Sequence, residues 1–234
     1  MKVKVVERFL SIQGEGITTG IPTYFIRLAG CNLRCVWCDT EYAFYGGEEA
    51  EIEVLVNEAL NSGAPRVCIT GGEPLLQKGT LELTKKLIGV GLGVDLETNG
   101  TLPLKDLLDV VGRERRLNGE LPTLLISMDV KCPSSGESGK THWENLSLLR
   151  RWDQVKFVIS DERDLNYALE VLRTHKIKAE VVFTPVWGRD FRLLAELFLK
   201  EISREESLLK GLNVRFLLQM HKFIWKDERE GINR

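Results

Sequence analysis

Residues 23–38 read TYFIRLAGCNLRCVWC, and they are the strongest indication of the chain's fold class. Its first six residues, Thr23 to Leu28, are mostly β-branched, aromatic or aliphatic, a composition that predicts a buried strand. Three cysteines with the spacing C-x3-C-x2-C follow almost directly. Chemistry on a loop that directly follows a strand is typical of parallel α/β folds, whose active sites lie at the carboxyl ends of the strands.

The rest of the chain alternates short apolar runs with amphipathic segments. Strands are predicted at Arg66 to Ile69, Gly93 to Leu96, Thr123 to Ser127, Gln154 to Ile159, Ala179 to Phe183 and Asn213 to Leu218. Helices are predicted at Ile52 to Asn61, Thr80 to Ile88, Leu104 to Val111, Glu144 to Trp152, Asp164 to His175 and Phe191 to Ile202. This alternation implies parallel strands joined by right-handed crossovers. We therefore predict an α/β fold, a partial, open (β/α) barrel of about six parallel strands, with a doubly wound sheet as the alternative.

Length and composition exclude several classes of protein. The 234 residues suggest a single domain spanning residues 1–234, and the formal net charge of -2 argues against binding nucleic acid through bulk charge. No apolar run approaches the roughly 20 residues that span a bilayer. The N-terminus has no long apolar segment followed by a cleavage site, so we expect no secretion signal and a cytoplasmic location.

The cysteine loop, residues 31–38, is the strongest chemical signal. Three of the five cysteines, Cys31, Cys35 and Cys38, lie within eight residues, and clustered thiols in a reducing compartment indicate metal binding. Thiolates are the usual iron–sulfur ligands, and three of them hold three corners of a [4Fe-4S] cluster and leave one iron open. A zinc site completed by Cys68, Cys132 or a histidine is the alternative, although the sequence lacks a second C-x2-C pair, and unligated thiols are a third reading.

Together with Trp37, these cysteines resemble the signature of the radical S-adenosylmethionine superfamily. A second motif, Gly-Gly-Glu-Pro at residues 71–74, ends an apolar run, and we expect its glycines to let a ligand approach the backbone closely. The resemblance implies an open (β/α)6 barrel, shortened or modified in some members. It also implies a [4Fe-4S] cluster whose open iron binds S-adenosylmethionine, and an external one-electron donor such as a flavodoxin or ferredoxin. Reductive cleavage then yields a 5′-deoxyadenosyl radical.

Further motifs resemble one family within this superfamily. They are SIQGEG at residues 11–16, FIRLAGC at 25–31, CDT at 38–40 and LQMHK at 218–222. They are similar to those of the 7-carboxy-7-deazaguanine synthases, and the resemblance runs from about Phe9 to Trp225. It implies conversion of 6-carboxy-5,6,7,8-tetrahydropterin to 7-carboxy-7-deazaguanine with loss of ammonia, in the biosynthesis of queuosine or archaeosine. It also suggests a homodimer.

The same resemblance assigns residues to roles. Substrate-binding residues would be Ile12, Gln13 and Gly14 of the substrate loop 11–16, together with Arg27, Thr70 and His221. Cofactor-binding residues would be Trp37, Cys38, Asp39, Gly72, Asp129, Val130 and Lys131. Thr40 would bind Mg²⁺, for which a hydroxyl oxygen is a suitable ligand. Many members have Ser-Pro-Lys where this chain has Asp129-Val130-Lys131, so the contact made by Asp129 departs from the family pattern.

Two other classes of function remain open at this point. One is a radical enzyme that activates a glycyl-radical protein, but such an activase has no need for the Gln13-Gly14-Glu15 and Thr40 features. The other is a non-enzymatic zinc-binding module. Cys68 lies inside an apolar run and is interpreted as a small core residue, and Cys132 is interpreted as a non-ligand.

Overall fold

A nine-stranded sheet is the centre of the computed structural model, which describes residues 1–111, 116–117, 121–205 and 210–225. The described strands are β1 (Lys2–Ile12), β2 (Pro22–Leu28), β3 (Glu48–Glu51), β4 (Arg66–Gly71), β5 (Gly93–Thr98), β6 (Arg116–Leu117), β7 (Leu121–Pro122), β8 (Leu124–Asp129), β9 (Gln154–Ile159), β10 (Glu180–Pro185) and β11 (Val214–Phe216). In the main sheet their order is β11-β10-β9-β8-β5-β4-β2-β1-β3, while β6 and β7 form a separate antiparallel pair.

The parallel part of the sheet confirms the predicted α/β class and its open form. Strands β2, β4, β5, β8, β9, β10 and β11 pair in parallel, so there are seven parallel strands rather than about six. Strands β1 and β3, which the sequence analysis did not predict, extend the β2 edge in antiparallel pairing. Charged residues alternate with apolar ones in β1, as expected for a strand with one solvated face, and this pattern is less conspicuous than a continuous apolar run.

Helices follow most of the parallel strands. They are α1 (Ile52–Asn61), α2 (Gly79–Gly89), α3 (Lys105–Val111), α4 (Glu144–Leu148), α5 (Glu162–Thr174), α6 (Phe191–Arg204) and α7 (Met220–Trp225). Helix α5 begins after Asp161, whose carboxylate accepts a hydrogen bond of 3.0 Å from the Asp164 N–H and so caps the first turn. None of the helices among these described ranges is long and apolar enough to cross a membrane.

Two predicted elements extend more than one residue beyond the observed ones. The helix predicted from Glu144 to Trp152 ends at Leu148, because the Asp153 carboxylate binds the Arg150 N–H at 2.7 Å and stabilises a turn there. The last strand ends at Phe216, and the segment LQMHK leads into helix α7 instead of extending that strand.

The two faces of the sheet differ in polarity. Alternate residues such as Ile26, Ile69 and Leu96 lie in the hydrophobic core, which the helices cover. The residues between them are largely polar, including Thr70 and Ser127. Since side chains alternate between the faces of a strand, this second face carries buried polar groups toward the carboxyl ends of the strands, where the motifs lie.

Candidate active site

The cysteine loop leaves the carboxyl end of β2 and is held by several hydrogen bonds. The Cys38 N–H donates to the Cys35 carbonyl at 3.2 Å, and the Arg34 N–H donates to the Glu137 carboxylate at 2.5 Å. The Arg34 guanidinium donates to the Cys31 carbonyl at 2.9 Å and stacks on the ring of Phe44. The backbone of the loop is therefore fixed by groups other than the thiols.

The three thiols lie close enough to influence one another. All three cysteines are partly buried, and burial raises the pKa of the Cys31 thiol and raises that of Cys35 to about 11. Cys38 disfavours ionisation of both thiols, and Cys31 disfavours that of Cys35. The ammonium of Lys131 acts in the opposite direction on both. Cys68 and Cys132 are fully buried in the protein, consistent with their interpretation as non-ligands.

The Gly-Gly-Glu-Pro turn lies against the cysteine loop. A Cβ on Gly71 would lie 2.2 Å from the Leu28 carbonyl oxygen, and one on Gly72 would lie 2.2 Å from that of Gly30. The chain's own backbone therefore already requires glycine at both positions. Glu73 is fully buried and accepts hydrogen bonds from the backbone N–H groups of Leu75 and Asn99 and from the Thr98 hydroxyl.

The carboxyl end of β8 places a charged residue beside the cysteine loop. Asp129 Oδ2 lies 2.6 Å from the Lys131 ammonium, while Asp129 Oδ1 is buried and has no hydrogen-bond partner among the described residues. Val130 points its side chain into the hydrophobic core, so only its backbone could face a cofactor. A buried carboxylate oxygen without a donor suits a ligand hydroxyl, such as one on a ribose.

These observations test whether the predicted cofactors fit. Three partly buried thiols on one braced loop provide the corner ligands of an iron–sulfur cluster. The orphaned Asp129 Oδ1 lies at the carboxyl end of the same sheet and provides an acceptor for a bound nucleoside. Within the described residues, no three His, Cys, Asp or Glu side chains are arranged to hold a single metal ion.

The substrate loop crosses the polar face of the sheet. Gln13 is buried, and its side-chain amide donates to Glu97 Oε1 at 3.4 Å. The Thr70 hydroxyl donates to the other oxygen of Glu97 at 2.7 Å. Two predicted substrate residues are therefore brought together by a carboxylate that the sequence analysis missed. Glu97 lies in β5, directly opposite the polar Ser127 of β8, and the sequence alone does not reveal this register.

Arg27 is held in place by a carboxylate of the neighbouring strand. Its Nε donates to Glu7 Oε1 at 2.6 Å, and the Tyr42 hydroxyl donates to the same oxygen at 2.8 Å. Burial opposes the charge of Arg27, but Tyr42, Glu7 and Glu97 together raise its pKa, so the guanidinium remains charged. Arg27 is therefore a fixed cation beside Thr70, the residue that pairs with it in the register of β2 and β4.

Helix α7 connects the substrate loop to the cysteine loop. The Met220 N–H donates to the Gly14 carbonyl at 2.9 Å, and the imidazole of His221 packs so closely that a Cβ on Gly14 would lie 2.3 Å from its Nδ1. The Lys222 ammonium lies 2.6 Å from Asp39 Oδ2. His221 is thus placed against the predicted substrate loop, as its assigned role requires.

The remaining predicted residues lie around this centre. Ile12 ends β1 and leads into the substrate loop, and Trp37 is half-buried on the cysteine loop. The Thr40 hydroxyl lies 3.7 Å from the Cys38 thiol, so it shares the loop of the three cysteines.

Comparison with known proteins relates this arrangement to a family. Residues 25–129 match the model of the radical SAM superfamily. The chain is 44% identical over 223 residues to the 7-carboxy-7-deazaguanine synthase of Methanospirillum hungatei, covering 95% of this chain and 85% of the relative. It is 53% identical over 228 residues to the protein of the same name from Hyperthermus butylicus, covering 95% and 92%.

Solved structures are similar in fold. The crystal structure of QueE from Escherichia coli matches with a TM-score of 0.65 and 23% identity, covering 92% of this chain and 94% of that one. Streptococcus suis SuiB bound to S-adenosylmethionine matches with a TM-score of 0.54 and 14% identity, covering 80% of this chain and 44% of that one.

Proposed function

The chain belongs to the 7-carboxy-7-deazaguanine synthase family of radical S-adenosylmethionine enzymes, and from this membership we propose the reaction that it catalyses. It converts 6-carboxy-5,6,7,8-tetrahydropterin to 7-carboxy-7-deazaguanine by radical ring contraction, with loss of ammonia. The observation that carries the proposal is identity of 44% and 53% to relatives with this name over 95% of the chain. The product supplies 7-deazapurine biosynthesis leading to queuosine or archaeosine.

The cofactors of the reaction are a [4Fe-4S] cluster and S-adenosylmethionine. Cys31, Cys35 and Cys38 hold the cluster. S-adenosylmethionine would be held by Trp37 to Asp39, Gly72 and the segment 129–131. When bound, these groups supply the hydrogen-atom abstraction that starts the ring contraction, while the protein supplies orientation and dry surroundings. The unpartnered Asp129 Oδ1 supports this placement of the nucleoside.

The polar face of the sheet binds the pterin. Arg27 pairs with the substrate carboxylate, because a planar guanidinium binds a carboxylate through two parallel hydrogen bonds. Residues 12–14, Thr70 and His221 bind the ring. Contacts of Gln13 and Thr70 with Glu97 support this arrangement, since they gather donors and acceptors in one buried place. A buried polar site of this kind rejects ring systems that leave its groups unpaired.

A magnesium ion assists through Thr40. Mg²⁺ keeps several waters and takes few protein ligands, so the Thr40 hydroxyl would hold it together with water and the substrate carboxylate. A bound ion would polarise that carboxylate. The position of Thr40, on the same loop as the three cysteines, supports this role.

Three features of the working enzyme complete the proposal. It is a homodimer in the cytoplasm, and a flavodoxin or ferredoxin donates the single electron. Neither an activase of a glycyl-radical protein nor a zinc-binding module is favoured, because the relatives that cover most of the chain are named as synthases of the deazapurine.

An anaerobic assay tests the reaction. Protein reconstituted with iron and sulfide is incubated with the carboxytetrahydropterin, S-adenosylmethionine, Mg²⁺ and a reductant, and the products are identified by mass spectrometry. We expect 7-carboxy-7-deazaguanine over many turnovers, and none from the Cys31→Ala protein treated in the same way. Formation of a cluster without any conversion of the pterin would favour the activase, and purification with zinc instead of iron would favour the binding module.

A further inference from the structure

Lys156, in strand β9, lies between the two proposed ligand sites. Its ammonium is 2.6 Å from Glu15 Oε2 of the substrate loop and 3.3 Å from Asp129 Oδ1 of the cofactor segment. Only 11% of the Lys156 side chain is exposed, and the two carboxylates are nearly as well buried. One buried cation therefore connects carboxylates that belong to two different binding sites.

Each carboxylate also has a second partner on its own side. Asp129 Oδ2 binds Lys131, and Glu15 Oε1 accepts a hydrogen bond of 2.7 Å from the Gln219 amide. Burial opposes ionisation of both Lys156 and Glu15, but Asp129 and Glu15 raise the pKa of Lys156 well above its usual value. Lys156 and His221 in turn lower that of Glu15. The connection therefore stays ionised over the physiological pH range.

The Asp129 end of this connection is incomplete. Oδ1 lies near the Lys156 ammonium but takes no hydrogen bond from the described residues. A hydroxyl donor from the cofactor would satisfy it and partly neutralise its charge. The attraction between Asp129 and Lys156 would then weaken, and Lys156 would bind Glu15 more strongly. Because Glu15 lies in the substrate loop, that change would order the loop for the pterin.

We infer that Lys156 is a positioning residue that couples the two sites, so that cofactor binding at Asp129 strengthens pterin binding at the substrate loop. The inference rests on the proposed function, since it takes the two ligands from it. Coupling between binding sites is reciprocal, so the pterin strengthens cofactor binding by the same factor.

The test measures binding without turnover. Cluster-loaded protein, kept anaerobic and without reductant, is titrated with the carboxytetrahydropterin in the absence and presence of saturating S-adenosylmethionine. We expect the cofactor to tighten pterin binding by about tenfold in the unaltered protein, within the usual range of coupling factors. In Lys156→Met the ratio of the two dissociation constants falls to about one. Lys156→Arg, which keeps the charge, restores part of it.

Lys86→Met is the matched control, because it also removes an ion-paired lysine, one that binds Glu53 and Glu82 on helices α1 and α2. We expect it to keep both ligand affinities and the coupling ratio. If Lys156→Met fails to fold, Glu15→Gln removes the same connection from its other end, and we expect the same loss of coupling. A ratio near one in the unaltered protein, or an unchanged ratio in Lys156→Met or Glu15→Gln, would overturn the inference. Absence of any pterin binding by the unaltered protein would instead contradict the proposed function and this inference with it.

Discussion

Two buried charged clusters lie on the polar face of the same sheet, and they differ in whether their hydrogen bonds are complete. Toward the amino ends of the strands, Arg66 and Asp95 are each only 2% exposed in their side chains. Arg66 Nε donates to Asp95 Oδ1 at 2.9 Å and its Nη1 to the Pro122 carbonyl, while the Thr18 hydroxyl donates to Asp95 Oδ2. At the carboxyl ends, Asp129 Oδ1 is left without a donor.

The completeness of its hydrogen bonds indicates whether a buried charged cluster stabilises the fold or is available to a ligand. Buried charges are costly unless they are paired and hydrogen-bonded, so a complete cluster such as Arg66–Asp95 serves the fold. In the function proposed above, the unsatisfied Asp129 Oδ1, at the carboxyl end of a parallel strand, is the acceptor for a hydroxyl of the cofactor. Substitutions at the two ends should therefore affect different properties, stability at one and ligand binding at the other.

The largest effect is expected at the cysteine loop. Replacing Cys31, Cys35 or Cys38 by alanine removes one corner ligand, so we expect loss of measurable turnover and a large loss of bound iron. Iron content and the visible absorbance spectrum measure the cluster. The controls are Cys68→Ala and Cys132→Ala, which change buried thiols elsewhere and should retain iron. Iron loss in Cys132→Ala with retention in Cys31→Ala would show that the ligands are assigned wrongly.

At the amino end, the expected effect is on stability. Arg66→Met leaves the Asp95 carboxylate buried without its cation, and loss of one partner of a buried pair typically costs about 3–5 kcal/mol. Denaturant unfolding measures the change. The double variant Arg66→Met/Asp95→Leu removes both charges and should recover most of the loss. If the single variant is as stable as the unaltered protein, the Arg66–Asp95 pair does not stabilise the fold, and the structural role assigned to it is wrong.

At the carboxyl end, Arg27→Lys should reduce affinity for the carboxypterin by about 10- to 100-fold, since a point charge cannot replace a bidentate guanidinium. S-adenosylmethionine affinity should change much less. Anaerobic calorimetric titration with each ligand measures both. Equal losses for the two ligands would assign Arg27 to the scaffold through its bond to Glu7.

The smallest effect is expected at the proposed magnesium ligand. Thr40→Val keeps the shape of the side chain but removes its oxygen, so Mg²⁺ stimulation of turnover should fall several-fold while the cluster is retained. Thr40→Ser should restore part of the stimulation. Turnover measured over a Mg²⁺ titration of the three proteins provides the comparison, and an unchanged metal dependence in Thr40→Val would mean that the ion is held elsewhere.

The sequence predicted the parallel strands well because they are short runs rich in β-branched and aliphatic residues, bounded by turn residues and separated by helical patterns. It missed β1, whose charged residues alternate with apolar ones, and it extended the last strand into the segment that forms α7. Both errors have the same cause, because the local sequence pattern does not reveal which other segment a strand or helix packs against.

The candidate site was predictable only where residues are adjacent in sequence. The cysteine loop and the Gly-Gly-Glu-Pro turn are short motifs, and the structure places them side by side. Glu97 and Lys156 could not be found in this way, because each acts through partners more than 20 residues away along the chain. Their roles follow from the register of the parallel strands, which only the folded sheet supplies.

The decisive experiment is a crystal structure of the cluster-loaded protein, grown anaerobically with S-adenosylmethionine and the carboxytetrahydropterin bound. We expect both ligands at the carboxyl ends of the strands, with the pterin between the substrate loop and Arg27. We also expect a ribose hydroxyl to donate a hydrogen bond to Asp129 Oδ1. Ligands bound elsewhere, or an Asp129 Oδ1 that is still without a donor in the ternary complex, would contradict the proposed ligand sites.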